Sequence, residues 1–166
     1  MKSILAALVV ISALFSIPPA FADTKTHKAS QISFWVPDAW SVESLDGDQL
    51  ALKDPKDQVG LLLFAIDAKD AKNALAALDQ TINKLVTDVK MSGSPKKVSI
   101  NGMEASVVDG TGKADGKAVE LSVLLVKTPT KKFLAIFGAL EASKKKAHEA
   151  DLRKILASLK PAAKSK

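Results

Sequence analysis

His27 and His148 are the only imidazoles in the chain, and imidazole is the side chain best suited to moving protons near neutral pH. His27 falls in a polar stretch without periodicity. That leaves His148, beside Glu149, as the position on which acid–base or metal chemistry would centre. Such chemistry needs a nucleophile or further ligands converging on the ring, and Asp151, three residues on, would be only a surface neighbour on a helix. A solvated His148 is therefore the expectation, and no catalytic residue and no metal ligand is assigned.

Other patterns dissolve in the same way. Ser94 with Lys97 and Ser143 with Lys146 match the serine–lysine spacing of penicillin-recognising enzymes, but about two such pairs are expected by chance in a chain this rich in lysine, and the partner motifs are missing. Gly110, Gly112 and Lys113 lack the spacing of a phosphate loop, and Ala114 stands where a magnesium-binding hydroxyl is needed. They read as the approach to a hairpin, and no cofactor is expected. Asp46, Asp48, Asp54 and Asp57 gather oxygens without the calcium-loop pattern and its closing glutamate, so a solvated turn is expected. The absence of cysteine removes thiol catalysis, disulfides and cysteine-bound metals.

Binding chemistry is less restricted. The formal net charge is +6, carried almost wholly by lysine, with Arg153 the one arginine. Scattered lysines without interleaved aromatics argue against nucleic-acid binding. Trp35 and Trp40 are the only tryptophans; core packing is the first reading for both and a partner anchor the second. Lys144, Lys145 and Lys146 follow Ser143 at the start of a helix, where the macrodipole disfavours cations by about 0.3 to 1 kcal/mol each. A broken local rule makes them candidates for docking an acidic partner or an anionic membrane surface, although charge runs are usually solvated faces. These five residues are the candidate partner-binding positions.

The elements that must hold them begin after an export signal. Met1, Lys2 and Ser3 precede an apolar run from Ile4 to Ile17, closed by Pro18 and Pro19 and the small-x-small triplet Ala20, Phe21, Ala22. The run is shorter than the roughly 20 residues that span a bilayer, so cleavage near Ala22 and a periplasmic or secreted protein without a transmembrane anchor are expected. Residues 1–22 are then the signal peptide, 23–30 a loose segment, 31–160 one domain and 161–166 a disordered tail.

Within that domain, Pro37-Asp38, Asp46-Gly47 and Asp54-Pro55 divide four short strands, the last at Val59–Ile66. Asn101-Gly102, Asp115-Gly116 and Thr128-Pro129 bound four more, near 96–100, 103–113, 117–127 and 132–140. Ala71, Ala74, Leu75, Leu78, Ile82, Leu85, Val86 and Val89 trace one stripe of a long helix capped by Asp70 and ending before Gly93. A shorter helix presents Leu152, Ile155, Leu156 and Leu159. Val59–Ile66 and Phe133–Leu140 are apolar nearly throughout, so both belong at the centre of a sheet covered above and below. The expected fold is α+β: an α/β/α sandwich with a mainly antiparallel central sheet and one helix layer on each face.

Three local patterns, in order and at the right spacing, resemble the PsbP/DcrB-like superfamily: Phe34 to Trp40 (FWVPDAW), Val98 to Ala105 (VSINGMEA) and Ile155 to Leu159 (ILASL). The resemblance implies the same α/β/α sandwich and a role in binding or assembly, and it transfers no functional residue. The expectation is thus a non-catalytic envelope adaptor that binds another protein, with a small-molecule or lipid carrier using a cleft beside the sheet as the alternative, and a hydrolase behind both.

Overall fold

The computed structural model describes residues 24–163, so the expected signal peptide and the last three residues lie outside the described residues. In chain order the elements are β1 (Thr24–His27), β2 (Ile32–Trp35), β3 (Ser41–Ser44), β4 (Leu50–Lys53), β5 (Val59–Ile66), α1 (Ala71–Leu85), β6 (Thr87–Met91), β7 (Lys96–Ile100), β8 (Met103–Ala114), β9 (Lys117–Lys127), β10 (Phe133–Glu141), α2 (Lys145–Ala157) and β11 (Lys160–Pro161). A 3-10 turn over Ala142–Lys144 leads into α2.

Two dipeptides set the register of the longest strands. Asn101 and Gly102, and again Asp115 and Gly116, adopt positive φ at both central positions, the two-residue turn whose twist matches that of antiparallel strands. Ile100 therefore pairs with Met103, and Ala114 with Lys117. Asn101 does a second job: its Nδ2 donates to the carbonyls of Ala157 and Leu159 at 2.7 and 2.8 Å, closing the last turn of α2. The main sheet runs β3-β4-β5-β10-β9-β8-β6, with β7 also on β8, and every strand pairing among the described residues is antiparallel. β1, β2 and β11 form a separate three-stranded sheet.

β5 and β10 pair side by side in the interior of the main sheet, as their unbroken apolar runs require. Successive side chains of a strand point to opposite faces. Leu134, Ile136 and Leu140 of β10 pack in one apolar cluster with Leu152 and Ile155 of α2 and with Ile32 and Phe34 of β2. Phe133, Ala135 and Phe137 pack in a second cluster with Leu78 and Ile82 of α1. Each fully buried leucine, isoleucine or phenylalanine contributes about 1.5 to 3 kcal/mol of transfer free energy, so these two strands hold both clusters together.

The structure corrects several boundaries. Asp70 caps α1 as expected, accepting the Asn73 N–H at 2.8 Å, but the helix ends at Leu85. Val86 is already extended and Val89 lies in edge strand β6, because Val86, Thr87 and Val89 are β-branched and favour a strand there. Leu85, assigned to the buried stripe, is 52% exposed. Residues 23–30 were expected to be loose, yet Thr24–His27 is strand β1, ladder-paired with β2. Pro161, expected in the tail, pairs with Ile32, and Ala162 N–H donates to the Gln31 carbonyl. A proline at the end of a two-residue edge strand costs no ladder bond.

Candidate functional site

His148 is not solvated. It is 9% exposed on the inner side of α2, and its Nε2 donates to Gln58 Oε1 at 3.2 Å, with Asp54 Oδ2 4.0 Å away. Asp54, expected in a solvated turn, is 3% exposed. Its carboxylate accepts the backbone N–H groups of Gln58 and Val59 on Oδ1 and of Lys56 on Oδ2. Burial pushes this carboxyl up, but those three N–H groups and the nearby His148 outweigh burial and hold it below the usual 3.8. The cluster stitches α2 to the turn between β4 and β5. Three of the carboxylate's acceptor positions go to backbone N–H groups, which ties it to that turn.

His27 is likewise internal, 1% exposed, with Nε2 donating to the Asp48 carbonyl and Nδ1 bonded to Ser30 Oγ. The two histidines sit in separate networks. Among the described residues no group of histidine and acidic side chains is placed to hold a metal, and no buried side-chain nitrogen or oxygen lacks a partner. Gly110 and Gly112 lie within β8 and owe their identity to packing: a Cβ on Gly112 would fall 2.4 Å from Val86 Cγ1 and 3.0 Å from the Thr87 carbonyl.

Of the five candidate partner-binding residues, Trp40 is buried in the α2 cluster. Trp35 is half-buried, with Lys154 Nζ 5.8 Å from its ring centroid and its backbone N–H donating to Ser158 Oγ. Lys145 pairs with Glu120 Oε2 at 3.0 Å, Lys144 is half-buried and Lys146 exposed. Trp35 meets the C-terminal end of α2 and the lysines its N-terminal end. At 1.5 Å per residue they stand about 20 Å apart, so the structure does not bring them together.

Sequence reasoning missed a groove. It lies between the C-terminal end of α1 and strands β3 to β5, encloses about 530 Å³, and has Leu45, Ala51, Gly60, Leu62, Leu85 and Ala139 in its lining, with Glu43, Lys53 and Lys84 at the same surface. Register explains the floor: Ser41, Lys53, Gly60 and Ala139 form one cross-strand row, and Glu43, Ala51, Leu62 and Phe137 the next. α1 packs on β10, β9 and β6, which leaves the outer strands of this side open. Leu45 and Leu85, the large apolar side chains exposed among the described residues, both border it. The signal available in the sequence was Leu85, which extends the helical stripe beyond the last buried turn. By contrast, the apolar void between α2 and the sheet is only about 30 Å³, room for little more than a water or two.

This geometry defines an α+β protein with a mostly antiparallel sheet and two helices, and its fold is PsbP/DcrB-like. The solution structure of the cyanobacterial PsbP protein, CyanoP, from Synechocystis sp. PCC 6803 superposes with a TM-score of 0.62 at 8% identity, over 91% of this chain and 98% of that one. LpqN of Mycobacterium tuberculosis, involved in cell envelope biogenesis, matches with a TM-score of 0.55 at 16% identity, covering 85% of each chain. PA94 of Pseudomonas aeruginosa, a protein of unknown function, matches with a TM-score of 0.51 at 16% identity over 87% of this chain and all of its own. No family model and no curated protein sequence matches the chain. Among the described residues no helix is long and apolar enough to cross a membrane.

Proposed function

We propose that this chain is an exported, non-catalytic adaptor of the bacterial envelope that binds another protein through the groove beside α1. The observation that carries the reading is the meeting of Leu45 and Leu85 at one open groove, since large apolar side chains gathered at a concave surface mark interaction sites. The likeness in fold to LpqN, an envelope-biogenesis protein, supports the setting. The use of Asp54 to hold the backbone of a turn and the separation of the two histidines favour binding over catalysis. In this reading the signal peptide is removed near Ala22, the domain works in the periplasm or outside the cell, and the two apolar clusters are the two interfaces of an α/β/α sandwich.

The test is site-specific crosslinking in the native host. A photo-reactive residue in place of Leu85 should give a discrete adduct with an envelope protein, and one in place of Trp35 or Lys146 should not. Adducts from Trp35 or Lys146 alone would move the binding surface to α2; adducts with lipid alone would favour a carrier. Intact mass of the recovered protein should correspond to a chain beginning at Asp23, and recovery of the uncleaved chain in the membrane would refute export with cleavage.

A further inference from the structure

The groove has the dimensions and charge of a seat for a helix. The strands left open beside α1 are β3, β4 and the first half of β5, whose Phe64 and Ile66 already pack in the α1 cluster. At 4.7 to 4.9 Å between neighbours they span about 10 Å from first to last axis, and a helix with its side chains is about 10 to 12 Å across. Helices packed side by side keep 8 to 10 Å between axes, so one further helix fits next to α1 and a second does not. The floor is built for a ridge of side chains: Ala51, Gly60 and Ala139 are small, and a Cβ placed on Gly60 would meet nothing within 4 Å. Along the strands, the two cross-strand rows and Leu45 beyond them extend about 14 Å at 6.8 Å per pair of residues, the length of some nine to ten helical residues.

Charge narrows the choice. Lys53 and Lys84 are exposed at the groove against Glu43, leaving it net positive. An acyl chain would be better served by an enclosed apolar slot, and here the surface is broad and flanked by three charges. We infer that the groove receives an amphipathic helix from the partner protein, with apolar side chains at i, i+3 or i+4 and i+7 against Leu62 and Leu85 and acidic residues beside Lys53 and Lys84. The inference rests on the adaptor reading and adds the shape and charge of what is bound.

The experiment maps adducts on the partner. Photo-reactive residues in place of Leu45 and of Leu85, introduced one at a time into the full chain in its host, should label the same partner segment, with labelled positions three, four or seven residues apart. Gly60→Leu, whose Cβ meets nothing within 4 Å and whose side chain rises into the open groove, should keep the wild-type melt and lower adduct yield at least tenfold. Lys53→Glu combined with Lys84→Glu, both at exposed positions, should lower it to a similar extent and make the residual yield insensitive to salt. Labelled positions two residues apart would show an added strand at the β3 edge and overturn the helix while leaving the adaptor intact. Labelling of a second copy of this chain, of lipid, or undiminished labelling in Gly60→Leu would overturn it too, and no adduct from either position would remove the adaptor reading along with it.

Discussion

Replacing Asp54 with alanine should be among the most damaging single polar substitutions in this domain. The carboxylate accepts three backbone N–H groups within the turn between β4 and β5, at 2.6, 2.8 and 3.0 Å. Val59 is 3% exposed, so its N–H finds no water and a stranded donor there costs about 1 to 3 kcal/mol. Lys56 is exposed and Gln58 half-buried; water recovers most of their loss, leaving about 0.5 kcal/mol each. The sum is about 2 to 4 kcal/mol, or a fall in Tm of about 6 to 12 °C for a domain of this size. The pH dependence supplies a second readout. Because the folded carboxyl lies below its ordinary 3.8, its stabilisation is complete above that value and is lost as pH falls through the folded-state pKa. Wild-type Tm should therefore drop more steeply below about pH 4 than that of Asp54→Ala, the two curves converging in acid. Thermal melts by circular dichroism from pH 7 to pH 2 decide it. A loss under about 0.5 kcal/mol at pH 7, within the range of an ordinary surface change, or parallel acid slopes, would refute the reasoning.

Leu78→Ala, at a position with no exposed surface, should cost about 2 to 5 kcal/mol in denaturant titration, whereas Leu85→Ala, half exposed, should fall within about 0.5 kcal/mol of wild type. Gly112→Val should prevent β6 from docking on β8, because its side chain would occupy the space of Val86 Cγ1 and the Thr87 carbonyl; amide exchange across β6 should accelerate, and unchanged protection there would contradict the packing. Changing Lys144, Lys145 and Lys146 together to glutamate should leave the melt within about 1 kcal/mol of wild type, since the loss of the partly buried Lys145–Glu120 pair is offset by charges that suit a helix start. The same variant should keep its groove adducts, and their loss with the fold intact would assign the helix start to binding.

The strands were legible wherever a turn has chemistry of its own. Asn101-Gly102 and Asp115-Gly116 announce their hairpins because few residues accept two successive positive φ values, and the double-sided burial of β5 and β10 follows from their lack of polar alternation. What escaped depends on partners distant in sequence. Helical spacing continues smoothly from Ile82 to Val89, so the apolar pattern hides the departure at Val86 into an edge strand on β8, and the β-branched Val86, Thr87 and Val89 are the one local sign of it. β1 and β11 are short and polar, and each exists only because β2 supplies a ladder. Burial of His148 likewise depends on Gln58, ninety positions earlier. Apart from Leu85, the sequence held no sign of the groove for the same reason: it is the part of a sheet that α1 leaves uncovered, and no single segment encodes a gap.

The small sheet has a consequence for how the protein comes into being. β2 is flanked by β1, the first described element, and by β11, the last. β1 can pair with β2 early, but the other edge of β2 stays bare until Lys160 and Pro161 arrive to pair with Ser33 and Ile32. Closing a loop of that length is slow compared with forming a hairpin. The finishing strand thus acts as a latch on folding: without Lys160 and Pro161 the second edge of β2 would stay an open strand edge.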